Sequence, residues 1–514
     1  MTAVATTATS FRVRTGWVPS VLVILVAFAT AQWAAIPYVV GVFHDDGVYA
    51  LLARSIASGQ GFHHSHLPGA PAATHYPPLY PLFLAAAWRL APVFPDNLPF
   101  LLAVNSILVG VAAWGCWRFA AGRLAWAQAV AVVGALAATL AVPVFALAGA
   151  LLSEPLFLAL LWPGLLLSER AVESPRRWLV AATGAYIGAL MLVRTHALAL
   201  LLALLFMLAL RKRWRDLLVA GCTAALVELP WLVWTRQATP HVAAPLEGAY
   251  GSYLAWIAAG FRDGGWSFVL GTIRVNAAEC WLLLQDRIAS GLPAPLQLLT
   301  LGALLAALGI GAWSCVRRAP VTLAFLALYV GIVLVFPYTP WRYVWIVWPL
   351  VALMVMEGVR RAWGAEPWRK AAVGTAGALL VFAFLRTQLH DFATRAWRVP
   401  ARQAGAQIWP VVAWVRANTS ERDVVLAEGE QVIALYAGRQ AAPPVTITAL
   451  EYLQPPRTAD EVVRLTHMLR AVPAKYVVLL ASPTVEAANA LLGRHPGLRP
   501  LASLSTGVVY EVVP

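Results

Sequence analysis

Apolar stretches long enough to cross a lipid bilayer recur from residue 17 to residue 386, and that recurrence decides what this chain can fold into. They lie near 17–41, 97–117, 124–143, 153–168, 178–193, 196–210, 216–235, 293–315, 320–337, 342–359 and 370–386. A helix rises about 1.5 Å per residue, so roughly 20 apolar residues match a hydrocarbon layer ~30 Å thick. Of the 514 residues, 60% are hydrophobic and 12% charged, against about a quarter charged in soluble domains. Such a chain cannot close its apolar surface into one water-soluble core. The expected fold is an all-α polytopic membrane protein of about 11 helices. The first stretch is too long for a signal-peptide core and lacks an obvious cleavage site, so it is expected to be retained. The 23 tryptophans suit rings seated at the membrane interface.

Orientation follows from basic residues in the short loops. Arg12 and Arg14 precede the first stretch. Arg118 and Arg123 follow the second; Arg170, Arg176 and Arg177 the fourth; and Arg211, Lys212, Arg213 and Arg215 a later one. Arg317, Arg318, Arg360, Arg361, Arg369 and Lys370 complete the set. All fall on one side if the N-terminus is cytoplasmic. This distribution also accounts for the net charge of +14 without nucleic-acid binding. The segment 78–93 is apolar but short and carries Arg89. Counting it as a span would invert every later loop, so it is expected to lie flat as an amphipathic interfacial helix. The loop 44–97 is then wholly outside, with interfacial helices near 46–59 and 78–93. A second outer loop, 236–292, is expected to hold short interfacial helices.

Residues 1–390 thus read as the transmembrane domain, and 391–514 as a small soluble domain. Asp423–Ala427, Tyr476–Ala481 and Gly507–Val513 read as strands, and Ala404–Asn418 and Ala459–Ala471 as helices. The domain is α/β without a Gly-rich phosphate loop. An odd number of spans puts it outside, where docking or stabilisation is its simplest role.

Several polar groups gather at the expected outer ends of the helices. Asp45-Asp46, with Tyr49 one turn on, sits directly after the first stretch. Ionisable groups beside lipid suggest function, although either carboxylate could instead cap a helix. His75-Tyr76-Pro77-Pro78 opens the second interfacial helix, where a helix N-terminus favours an anion; simple helix punctuation is the alternative. Ser153-Glu154 starts a later helix, as a cap or as a second carboxylate level with Asp45. Arg194 and Arg342-Tyr343 lie in outer turns. Arginine's planar fork suits phosphate, while snorkelling to the interface would equally explain the position. His63, His64 and His66, with His44 and His75, put half of the ten histidines in one loop. Their spacing matches no strong metal motif, so a solvated loop is expected and no metal is assigned. Four dispersed cysteines give neither a metal site nor a disulfide framework.

This pattern resembles the C-type membrane glycosyltransferases that use polyprenyl-phosphate sugars, the group containing protein O-mannosyltransferases and the lipid A aminoarabinose transferase. Those proteins open their first outer loop with an Asp-Glu pair followed by Tyr; Asp45, Asp46 and Tyr49 match, with Asp46 in place of Glu. Tyr76-Pro77-Pro78-Leu79 corresponds to their Lys-Pro-Pro-Leu type motif, and His75 is expected to supply the basic character that Tyr76 lacks. Glu154, Arg194 and Arg342-Tyr343 match later family positions. The resemblance covers the layout of about residues 17–386. It implies inverting transfer of a hexose or pentose from a polyprenyl-phosphate donor to a lipid, glycan or protein hydroxyl, at the extracytoplasmic face of the inner (plasma) membrane. No cofactor is required. Asp45 would be the general base, its pKa raised by the neighbouring acid; Asp46 and Glu154 would support it; Tyr49, His75, Tyr76, Arg194, Arg342 and Tyr343 would bind donor phosphate and substrate. The rivals are a transporter or lipid flippase, which calls for mid-membrane polar groups or paired broken helices, and a catalytically silent assembly subunit. No internal repeat is visible, and the ionisable groups sit at helix ends.

Overall fold

In lipid every backbone N–H and C=O must be satisfied within its own segment, so apolar stretches become helices. The computed structural model describes residues 17–494 and 497–513. Arg12 and Arg14, the basic pair ahead of the first stretch, lie outside the described residues. α1 (Trp17–Ala34), α2 (Asp45–Ala57), α3 (Leu79–Leu90), α4 (Leu98–Gly122), α5 (Gln128–Thr139) and the short α6 (Val142–Phe145) come first. α7 (Glu154–Glu173), α8 (Arg177–Met191), α9 (Leu198–Leu210) and α10 (Trp214–Ala238) continue the bundle. The one-turn α11 (Glu247–Tyr250) precedes α12 (Tyr253–Ile288), and α13 (Ala294–Arg318), α14 (Pro320–Val335), α15 (Trp341–Ala362) and α16 (Pro367–Thr394) complete the helical domain.

Among the described residues eight helices are long and apolar enough to cross a membrane, or nine if α5 and the following turn Val142–Gly149, bent by 65°, count as one. The expected eleven spans are therefore not reached by length. The stretches at 178–193, 196–210 and 320–337 do form helices, but α8, α9 and α14 have only 15, 13 and 16 residues. The eight include α12, where short interfacial helices were expected. It is two helical segments over Tyr253–Ile288 that meet at a kink at Gly265, whose φ of 56° is open to glycine. Its contacts place it across one end of the bundle. The Tyr253 ring packs 3.6 Å from that of His75, the Asn276 amide donates to the carbonyls of Val333 and Phe336, and Arg287 pairs with Asp391.

The helices pack closely where small residues meet, as membrane bundles require. A Cβ at Gly358 would lie 1.8 Å from the Ala307 carbonyl oxygen, and one at Gly311 equally close to that of Met354. The basic residues gather at one end: Arg123 pairs with Glu173, Arg211 and Arg213 donate to the Val172 carbonyl, Arg318 donates to that of Leu124, and Arg360 and Arg361 clasp Glu357. α2 and α3 close the opposite end.

The C-terminal domain also sits at the α2–α3 end. α17 (Val399–Asn418) leads to β1 (Val424–Ala427), the short α18 (Glu430–Val432) and β2 (Gln440–Ala442). α19 (Thr458–Ala471), β3 (Tyr476–Leu479), α20 (Ser482–Asn489), β4 (Gly497–Ser503) and β5 (Val508–Val513) follow. The sheet order is β2-β1-β3-β5-β4, parallel on the β1 side and antiparallel about β5. The three strands and two helices expected from sequence correspond to β1, β3, β5, α17 and α19. β2 escaped notice at three residues, and β4 because Arg499-Pro500 disguises it; proline is tolerated there on an edge strand. The Ala441 amide donates to the His66 carbonyl at 2.9 Å, and Trp256 Nε1 to that of Ile447 at 2.8 Å, so the C-terminal domain is fastened to both large loops.

Candidate active site

The candidate site lies where the first turns of α2, α7 and α15 meet under α3. α2 begins abruptly because His44, at φ 62°, turns the chain into it. The two carboxylates that follow then point in different directions. Asp46 is fully buried and faces back into the preceding loop, accepting from Tyr38 Oη and the Gly41 amide at 2.8 Å and from the Phe43 amide at 3.1 Å. Burial pushes its carboxyl up despite those bonds. It fastens a loop and does not reach the cluster that Asp45 joins.

Asp45 faces inward and is reachable, with 24% of its side chain exposed. Its Oδ1 accepts from Tyr76 Oη at 2.7 Å and its Oδ2 from Arg342 Nη1 at 2.7 Å. Neither bond is a helix cap. Arg342, in the first turn of α15, also donates through Nε to Glu154 Oε1 at 2.7 Å, and its Nη2 lies 2.6 Å from the same oxygen. Glu154 is completely buried, and its Oε2 lies 3.1 Å from Arg194 Nη1. Pro155 occupies the start of α7 where no amide hydrogen is needed. Ser153 makes no side-chain cap bond to that helix: its hydroxyl accepts from Arg194 Nη1 at 2.8 Å and meets Tyr49 Oη at 3.1 Å. Arg194 also lies over the Tyr343 ring, 5.4 Å from its centre.

The two acids were expected to raise one another's pKa. Arg342 sits between them and reverses the effect. Burial alone would lift the Asp45 carboxyl, but the charge of Arg342 and the bonds from Tyr76 and Arg342 outweigh it and hold it at about 2. The pairing leaves donors to spare. Buried Arg194 Nε has no hydrogen-bond acceptor, and Arg342 Nη2 has none of good geometry. Two cations with unfilled donors at a buried helix start can accept an incoming anion.

His75 departs from its expected basic role. Burial pushes its ring down to about 4, and Nδ1–H donates to the Gly251 carbonyl at 2.8 Å; it is a neutral wall beside Tyr76. The histidine-rich segment is not solvated as expected. His64 and His66 are buried against Tyr250. Among the described residues no three His, Cys, Asp or Glu side chains converge as a metal-binding group.

One cavity adjoins the cluster at Arg342, and a second lies further along α15. One of about 590 Å³ is lined by His44, Tyr38, Arg287, Arg342, Trp345 and Asp391, among others. Beside it an apolar groove of about 860 Å³ runs between α5, α15 and α16, past Trp348, Phe384, Val355 and Val381 toward Trp363. Trp345 and Trp348, 5.7 Å apart at their ring centres, link the two. The Arg287–Asp391 pair was missed in the sequence because its partners are about a hundred residues apart. Tyr38 was missed because a single tyrosine at the end of an apolar stretch reads as an interface anchor.

The described residues thus form a multi-pass helical domain with two helices, α2 and α3, over one end and an α/β domain seated there. The sequence matches no protein-family model and no curated protein. Among solved structures, the chain resembles ArnT from Cupriavidus metallidurans in the apo state. The TM-score is 0.51 at 13% identity, over 97% of this chain and 98% of that one. ArnT from the same organism bound to undecaprenyl phosphate aligns over the same shares, with TM-score 0.49 and 14% identity. The fold expected from the sequence is thus the fold of ArnT.

Proposed function

We propose that this chain is an inverting glycosyltransferase. It moves a sugar from a polyprenyl-phosphate donor to an acceptor hydroxyl at the extracytoplasmic face of the membrane. The observation that carries the reading is Arg342, which joins the reachable carboxylate of Asp45 to the Glu154–Arg194 pair and lines a cavity that Trp345 and Trp348 connect to an apolar groove further along α15. A polyprenyl tail is a run of hydrocarbon and the groove is hydrocarbon-lined. The headgroup phosphate would then reach Arg342, with Arg194 behind it. The shared fold supports the class, and the clustering of the basic residues at the far end supports a cytoplasmic placement of that end.

In this scheme the phosphate draws Arg342 away from Asp45. Without that cation, burial lifts the Asp45 carboxyl from about 2 toward the range of a useful base. The acceptor oxygen attacks the anomeric carbon from the face opposite the phosphate while Asp45 takes its proton. The bond from the anomeric carbon to the phosphate oxygen breaks, and polyprenyl phosphate leaves as an anion, needing no proton. Arg342 and Arg194 stabilise the charge that grows on it. Tyr76, donating to Asp45, holds the carboxylate in position. The acceptor is a lipid, glycan or protein hydroxyl.

The test is direct binding of undecaprenyl phosphate to the protein in lipid nanodiscs. Arg342→Ala should weaken it by roughly tenfold or more, the value of one charge-assisted contact. Unchanged affinity would remove Arg342 from the phosphate site.

A further inference from the structure

The C-terminal domain lines the cavity beside Arg342 through Pro400 and Ala401 of α17, and it reaches the turn that carries Asp45 through α18. α18 sits on the first turn of α2, the turn that carries Asp45, and the fit depends on two glycines. A Cβ at Gly47 would lie 2.5 Å from Gln431 Cβ, and one at Gly41 would lie 2.8 Å from Val432 Cγ2. No larger residue at either position leaves room for the domain to seat.

Gln431 is 1% exposed, and its amide nitrogen is engaged. Nε2 lies 2.8 Å from His44 Nδ1, 2.9 Å from Glu430 Oε1 and 3.3 Å from Tyr250 Oη. Tyr250 Oη itself donates to Glu430 Oε1 at 2.7 Å and meets His66 Nε2 at 3.1 Å. Because the carboxylate can only accept, the Gln431 nitrogen must face it. The same nitrogen then donates to His44, whose Nδ1 must carry a lone pair, leaving the ring proton on Nε2. His44 is the left-handed residue that turns the chain into α2, and its neighbour is Asp45. A buried network drawn from the first loop, α11 and the C-terminal domain therefore ends on the residue that sets the direction of Asp45.

We propose that Gln431 of the C-terminal domain is a positioning residue for Asp45, holding His44 and the first turn of α2 so that the carboxylate faces Arg342. The proposal rests on the reading of Asp45 as the base. It gives the C-terminal domain a part in turnover beyond docking. Glu430 and Tyr250 act one step further out by orienting the Gln431 amide.

The experiment uses the full chain in lipid nanodiscs with Gln431→Met, which keeps length and volume and removes both amide hydrogens. ¹⁵N spectra of histidine-labelled protein, assigned with His44→Gln, read the His44 ring. Consumption of a panel of undecaprenyl-phosphate hexoses and pentoses, with water or a membrane lipid extract as acceptor, gives kcat and donor KM. The expected result is loss of the accepting Nδ1 signature of His44, with kcat down about tenfold and KM within about twofold, as for one lost orienting bond. Gln431→Asn, which keeps the amide but withdraws it by one methylene, should do the same, so a misfolded Met variant does not end the test. An unchanged His44 signature, an unchanged kcat, or equal losses in kcat and KM that betray general loosening would each overturn the proposal. If the unaltered protein consumes no donor, the reading of Asp45 as a base falls, and the His44 signature still decides whether Gln431 fixes the turn.

Discussion

Replacing Glu154 with glutamine keeps the shape of the side chain and removes the one charge that Arg194 and Arg342 share. Glu154 has no exposed surface and each arginine is 9% exposed, so water cannot make up the loss. Arg342 would retain Asp45, while Arg194 would keep only the Ser153 hydroxyl and the Tyr343 ring. Stranding a buried charge costs about 3–5 kcal/mol. The remaining cation–π contact, worth about 1 kcal/mol, argues for the lower end, about 3 kcal/mol. The same change frees both cations for an incoming phosphate, because their internal rival is gone. Undecaprenyl phosphate should therefore bind at least about tenfold more tightly, equivalent to about 1.4 kcal/mol. The assay is thermal melting in nanodiscs with and without the lipid. The variant should melt several degrees below the unaltered protein when empty. Lipid at about 100 times its Kd returns about 2.7 kcal/mol, closing most of the gap. Unchanged melting, or weaker lipid binding, would refute the view that Glu154 competes with the phosphate for these arginines.

Three further outcomes follow from the same geometry. Asp46→Ala leaves Tyr38 Oη and the Gly41 and Phe43 amides without their acceptor and should cost about 1–3 kcal/mol; Asp46→Asn, which keeps one accepting oxygen, should cost less, and equal melting of the two would contradict the assigned bonds. Tyr76→Phe removes one donor from Asp45 and should lower kcat by roughly tenfold in donor-consumption kinetics, whereas an unchanged kcat would make the bond incidental. Asp45 is held from 3.8 down to about 2 in the fold, so its contribution, about 2 kcal/mol, is fully present above pH ~4 and lost as pH falls through about 2. The melting difference between the unaltered protein and Asp45→Asn should stay constant above pH ~5 and shrink below pH ~4; a difference independent of pH would deny the Asp45–Arg342 pairing.

Much of the framework could be read from residue order because lipid imposes a simple rule on helices and charge imposes another on loops. Asp45, Glu154, Arg194 and Arg342 stood at helix ends on one side of that scheme, and the structure brings these four together. What stayed hidden depends on information that residue order does not carry. Asp45 and Asp46 look alike as neighbours, yet the left-handed turn at His44 sends one into the site and the other into a loop. His75 reads as a cation until its burial is known. α12 hid its two long helical segments behind Gly260, Gly264, Gly265 and the charges of Arg262 and Asp263, which read as loop punctuation. Gln431 gave no signal, being one amide beside an apolar run, and its importance comes from contact with residues nearly four hundred positions away.

The most direct test of the proposed chemistry is the loss of sugar from an undecaprenyl-phosphate donor, followed in a single turnover with the unaltered protein and with Asp45→Asn. The unaltered protein should transfer the sugar with inversion at the anomeric carbon. Asp45→Asn should still bind undecaprenyl phosphate but transfer the sugar about 10²–10⁴-fold more slowly, the range expected for loss of a general base. Equal rates in the two proteins, or a product with retained configuration, would contradict Asp45 as the base of an inverting transfer.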